Sequence, residues 1–254
     1  MQQEIYLYII IFIYGLVIGS FINVLIYRLP KKEDIIIKAS SCTNCGHRLQ
    51  WYDLVPLLSY ICLRGRCRYC GKKISLQYPI IELVNALLYL VIFLRFGFGI
   101  YGVLVSLFSS ILLAIAVIDF KSYIIYDGLN IALLVIAIIN AIISINLADK
   151  FLGFIGVSGV MYLLVVIFRH FKNIDVFGGG DIKLMAAAGL FLGLKETVLA
   201  FFIACILGSV IHTIRMKLTN EGHILAFGPY LCLGIYFSIL FGKEIVAAYL
   251  GLFI

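Results

Sequence analysis

The chain has 254 residues, 63% of them hydrophobic and 13% charged, with a net charge of +7 and a mean hydropathy of +1.11. That balance excludes an ordinary soluble domain, in which about 25% of residues are charged. Apolar runs repeatedly reach the roughly 20 residues a helix needs to cross a bilayer, and unpaired backbone groups are not left in lipid. The pattern predicts an all-α polytopic membrane protein.

Eight transmembrane helices are predicted, at 5–27, 79–96, 98–118, 128–146, 151–169, 182–194, 196–214 and 226–242. The sixth is short and follows three glycines, which suits a start inside the protein. The tail 245–254 either extends the last span or lies on the membrane. The first span has an acidic residue, Glu4, in place of a basic n-region and lacks a small-residue cleavage site, so it reads as a retained helix. Ten of the twenty Lys and Arg lie between Arg28 and Lys73, in one long polar segment. Placing that segment in the cytosol puts sixteen basic residues inside and four (Arg95, Lys150, Lys195 and Lys243) outside, with the N-terminus out. The positive charge is then a topology signal and calls for no nucleic-acid partner.

Taken in order, the first span ends in Gly19-Ser20-Phe21-Ile22-Asn23 and exits through Arg28-Leu29-Pro30. Gly19 and Ser20 suit close helix contact, Asn23 suits a hydrogen bond across that contact, and Arg28 is within reach of the headgroups. The insert, 28–78, carries Cys42-x-x-Cys45, then 21 residues, then Cys67-x-x-Cys70. Two such pairs offer four thiolates from two tight turns, the donor set of a structural zinc site. Gly46 and Gly71 follow each pair where a permissive backbone is needed, and His47 is an alternative ligand that reads better as a solvated neighbour. Cys62, Cys205 and Cys232 read as small buried hydrophobes. Trp51, Tyr52, Pro56, Tyr60 and Tyr78-Pro79 suit an interfacial belt. Glu82 is expected in the first turn of the second span, where the helix dipole favours an anion. A polar ligand is its other reading.

Asp119 ends the third span, where the dipole disfavours an anion, and Asp127 opens the fourth as an expected N-cap. Gly178-Gly179-Gly180-Asp181 precedes the sixth, with Asp175 read as a solvated charge. Glycines there allow close backbone approach, and an ionisable residue at a membrane segment is a functional-site hypothesis. The topology brings Asp119 and Asp181, 62 residues apart, to the same cytosolic face. Met185–Gly189 gives the following helix a bare side for packing. His212, His223 and Glu221 read as surface groups, and Phe227-Gly228-Pro229 as a turn into the last span.

Laid out in this order, the residues resemble the bacterial type IV prepilin peptidases over nearly the whole chain. Gly19-Ser20-Phe21-x-Asn23-Val24 with Arg28-x-Pro30, the two Cys pairs with Tyr78-Pro79 and Glu82, Ile118-Asp119 with Asp127, Gly178-x-Gly180-Asp181, and Phe227-Gly228-Pro229 carry the likeness. Tyr126 departs from it, because the family usually has proline before the aspartate matching Asp127. The resemblance implies an aspartic peptidase that removes prepilin or pseudopilin leaders, with Asp119 and Asp181 catalytic and Gly178, Gly179 and Gly180 along the substrate. It implies a methyltransferase as well, using S-adenosylmethionine to methylate the new N-terminus. Domain boundaries are then expected at 1–27, 28–78 (the zinc-binding, methyltransferase-associated insert) and 79–254 (the peptidase). The insert, with Glu82 and the Asn23–Arg28 stretch at its membrane roots, is the expected S-adenosylmethionine site. The bacterial inner membrane is the expected location. A transporter using the two aspartates as a proton or cation site, and a zinc-bearing membrane scaffold without chemistry, are the rivals.

Overall fold

A computed structural model describes residues 2–35, 37, 39–144, 146–174, 176–219 and 225–252. Asp175, Glu221 and His223 lie outside the described residues. The elements are α1 (Gln2–Arg28), a 3-10 turn (Trp51–Asp53), α2 (Leu58–Cys62), α3 (Gln77–Phe96), α4 (Ile100–Ser122) and α5 (Asp127–Ile143). They continue with α6 (Leu147–Lys172), α7 (Gly179–Leu192), α8 (Leu194–Thr219) and α9 (Gly228–Gly251). All eight predicted spans have a helix, so the chain is an all-α polytopic membrane protein. Six of these helices are long and apolar enough to cross a membrane. The other two, α5 and α7, have 17 and 14 residues. The chain divides into two compact units, Met1–Ser106 and Leu107–Ile254.

In the first unit α1 packs along α3 through small residues. A Cβ on Gly15 would sit 2.6 Å from the Ala86 Cα, and one on Gly19 2.7 Å from the Glu82 Cα, so only glycine permits this approach. Polar side chains bind the seam. The Asn85 amide donates to the Gly15 carbonyl (2.8 Å), and the Asn23 amide to the Tyr78 carbonyl (3.0 Å), as Asn23 was expected to do. Arg28 differs from expectation. It is buried and turns back to donate to the carbonyls of Asp34 and Ile35, closing the chain reversal after α1 instead of reaching outward.

In the second unit α7 is the central element, flanked by α5 and α6. Its bare side behaves as its composition predicts: Ala187, Ala188 and Gly189 are buried, and Gly189 meets Gly153 of α6 backbone to backbone. Phe108 stacks on Phe191 at 4.4 Å between ring centroids. At the far end of α7 the Asn140 amide (2.9 Å) and the Lys150 ammonium donate to the Phe191 carbonyl, and Lys150 also reaches Leu192 (3.1 Å). These donors occupy carbonyls that a helix C-terminus leaves open. The helix can therefore be short without unpaired ends in the apolar interior. Of the three cysteines predicted buried, Cys232 is buried, whereas Cys62 and Cys205 are exposed. Cys205 lies on the apolar helix α8, where an exposed thiol costs little, and Cys62 on α2 of the insert, so residue type alone did not decide their side.

Candidate active site and metal centre

The two aspartates come from different helix ends in the second unit. Asp119 lies in the last turn of α4 and is 5% exposed. Its Oδ2 accepts the Gly228 backbone N–H at 3.0 Å. Gly228 opens α9, with Pro229 at the start of the helix, so its N–H is one that the helix itself leaves unpaired. A Cβ on Gly228 would fall 2.6 Å from the Asp119 Oδ2, which is why glycine stands there. The predicted turn at Phe227–Pro229 thus also caps an acidic side chain. Sequence spacing carried no sign of that bond, because its partners are 109 residues apart.

Asp181 sits in the first turn of α7, whose N-cap is Gly178. Gly178 stays close to it, a Cβ there being 3.1 Å from the Asp181 Oδ2. The charge of Asp119 acts on Asp181, and buried Cys232 lies within the field of both carboxyls. The two aspartates therefore share one neighbourhood. The glycines are not equivalent. A Cβ on Gly180 would lie 2.8 Å from the Ile125 Cβ, whereas one on Gly179 would meet nothing within 4 Å. Asn130 of α5, which sequence reasoning passed over, donates to the Gly180 carbonyl at 3.2 Å.

Asp127 is corrected. It is the first residue of α5, with Tyr126 at the N-cap position, and its carboxylate meets the Lys183 ammonium at 2.7 Å. Residue type pointed to a cap, but a cation one turn into α7 takes the charge. Glu82 also differs from its expected place. Because α3 begins at Gln77, Glu82 lies beyond the first turn, where it is buried. Its Oε2 accepts the Leu57 N–H at 2.9 Å, and Ser20 also hydrogen-bonds to its carboxylate. It thereby fastens the insert to α1 and α3.

The insert places Cys42, Cys45, Cys67 and Cys70 with their sulfurs all within 4.8 Å of one another. Each pair forms a knuckle of the same design. The Cys42 N–H donates to the His47 carbonyl and the Gly46 N–H to the Cys42 carbonyl, both at 2.9 Å. Cys67, Lys72 and Gly71 repeat the pattern at 2.9 Å. Gly46 and Gly71 adopt φ of 71° and 69°, the left-handed turn that favours glycine. The Cys42 and Cys70 sulfurs are 3.9 Å apart. Zinc–sulfur bonds of about 2.3 Å give a tetrahedral edge of about 3.8 Å, so the donor set fits that ion. The backbone N–H groups of Cys45 and Asn44 lower the Cys42 thiol to about 6, and the Lys72 N–H with Asn44 lowers Cys70. Cys45 accepts the His47 N–H, yet burial and the thiol bonds of Cys42 and Cys70 push it up to about 11. His47 is not needed as a ligand; its ring lies on Tyr69 at 3.6 Å between centroids.

A multi-pass membrane protein whose helix ends bring two acidic groups together, with a four-cysteine insert after the first helix, is the class this arrangement defines. Residues 13–96 match the bacterial peptidase A24 N-terminal domain, and residues 106–213 match the type IV leader peptidase family. A Vibrio cholerae protein named prepilin leader peptidase/N-methyltransferase is 38% identical, over 81% of this chain and 85% of its own length. Proteins of the same name are similar from Bacillus subtilis (33%, over 95% and 97%) and Pseudomonas putida (30%, over 92% and 90%). No solved structure matched. The chain belongs to the type IV leader peptidase family.

Proposed function

We propose that this chain cleaves the leader peptide from type IV prepilins or pseudopilins and N-methylates the new N-terminus, with Asp119 and Asp181 as an aspartic dyad. What supports the reading is the placement of these two carboxyls at the end of α4 and the start of α7, one capped by the Gly228 N–H and the other beside Gly178. Two close carboxyls hold one proton more readily than two charges. The ionised member takes a proton from water, which attacks the scissile carbonyl. The protonated member hydrogen-bonds the developing oxyanion and then protonates the departing amine. The pair titrates as a unit. In the glycine loop Gly180 seats the chain against Ile125 and Gly178 borders Asp181, while Gly179 stays clear of the rest of the protein. No observation favours the transporter or scaffold reading.

Zinc bound by Cys42, Cys45, Cys67 and Cys70 would hold the insert together, since a segment of this size has too small a core of its own. S-adenosylmethionine, the donor implied for methylation, would supply the methyl group. Glu82 is already engaged by Leu57 and Ser20, which fits an anchor for the insert better than an open contact to that cofactor. The Lys and Arg distribution supports an inner-membrane protein with its N-terminus outside and both activities on the cytosolic side. Mass spectrometry of a prepilin incubated with the purified protein tests the reading through two readouts, loss of the leader and gain of a methyl group. An intact, unmodified prepilin is the contrary result.

A further inference from the structure

Between α4 and α5 the chain leaves regular structure. Tyr123 adopts φ of 56° and donates its N–H to the Asp119 carbonyl at 2.8 Å, ending α4 one turn after the aspartate. Ile124 to Tyr126 then run without helix or turn, Tyr126 in extended conformation at φ −77° and ψ 132°. The segment lies against the glycine loop, with the Ile125 Cβ and carbonyl over Gly180, next to Asp181. Its start is thus tied to the Asp119 backbone and its middle to the residue before Asp181. Among the described residues, the N–H groups of Ile124, Ile125 and Tyr126 and the carbonyls of Ile124 and Ile125 have no partner. Ile124 is 51% exposed.

Backbone groups that are unpaired in a half-covered extended segment are a template for another strand. A peptidase acting on a helix-forming segment also needs that segment extended at the scissile bond, so that the carbonyl is open to water. We propose that Ile124–Tyr126 is the substrate-receiving edge: the prepilin chain around its cleavage point adds to it as a short β-strand through main-chain hydrogen bonds. The recognised chemistry is an extended peptide backbone with every second N–H turned toward the enzyme. This inference rests on the peptidase reading.

Two measurements with the full-length protein in proteoliposomes test it. In the first, single N-methyl groups are placed at successive backbone nitrogens of a synthetic prepilin across the cleavage point. Alternate positions should lower kcat/KM about tenfold, the worth of one good hydrogen bond, with the positions between them little changed. In the second, a benzoylphenylalanine at position 124 of the Asp181→Asn variant should crosslink prepilin within a few residues of its cleavage point. The same probe at position 131, on an exposed face of α5, should not. Uniform tolerance of N-methylation, or equal capture from both positions, overturns the inference while leaving the peptidase reading intact. Failure of the unaltered protein to cut unmodified prepilin removes both.

Discussion

The Gly228 backbone N–H donates to the Asp119 carboxylate across 3.0 Å, so the start of α9 holds the acidic group at the end of α4. A hydrogen bond from a helix N-terminus to a carboxylate orients it.

Gly228→Ala places a methyl group 2.6 Å from the Asp119 Oδ2. The carboxyl has to move, and misplacement by about 1 Å costs on the order of 100-fold in rate. Leader cleavage should fall by that factor in kcat. Thermal unfolding in detergent should stay close to wild type, because the nearest atoms all belong to the Asp119 side chain. Wild-type kcat would remove the cap from the mechanism.

The glycine loop gives a contrast within one motif. Gly180→Ala drives a Cβ to 2.8 Å from that of Ile125, whereas Gly179→Ala enters open space. We expect about tenfold or greater loss of cleavage for the first and little change for the second. Parallel peptide-cleavage assays of the two proteins check the order. Its reversal would mean that the loop reorganises when substrate binds.

The four-cysteine site sets a dependence on acid. Zinc needs thiolates, so protons compete with it. The backbone N–H groups around Cys42 hold its thiol below the usual range, whereas Cys45 is pushed the other way. Zinc retention should fall as the medium is acidified from neutral pH, measured by elemental analysis after dialysis. Cys42→Ser or Cys70→Ser should lose zinc at neutral pH and open the insert to proteases. Retention of one zinc per chain by both variants would contradict the assignment.

Glu82→Ala removes the acceptor for the Leu57 N–H. The root of the insert should loosen, seen as faster amide exchange around Leu57. If Glu82 is an anchor, methylation should fall further than cleavage, and Glu82→Gln should restore most of it by keeping an acceptor. Calorimetric titration with S-adenosylmethionine separates this from direct contact: a direct ligand would lose affinity in the Gln variant too.

The helices were legible because lipid imposes length and apolarity on them. The four-cysteine cluster was legible because a knuckle requires Cys-x-x-Cys locally, followed by a residue tolerant of positive φ, as Gly46 and Gly71 are. Asp119 and Asp181 could be brought to one side by topology alone. What spacing could not reach was long-range pairing. Asp127 has the residue type of a cap, yet its carboxylate is taken by Lys183. Glu82 has that of a dipole partner, yet it binds Leu57. Arg28 sits at a membrane exit but folds back onto Asp34 and Ile35. In each case a polar group near a helix end found a partner in another element, a choice made by packing.

The most direct test of the dyad is a side-by-side incubation of one prepilin with wild type, Asp119→Asn and Asp181→Asn, read by intact-mass spectrometry. The account predicts leader removal by wild type alone, with both variants still folded, zinc-loaded and able to methylate a pilin supplied already cut. Complete leader removal by either variant would contradict it.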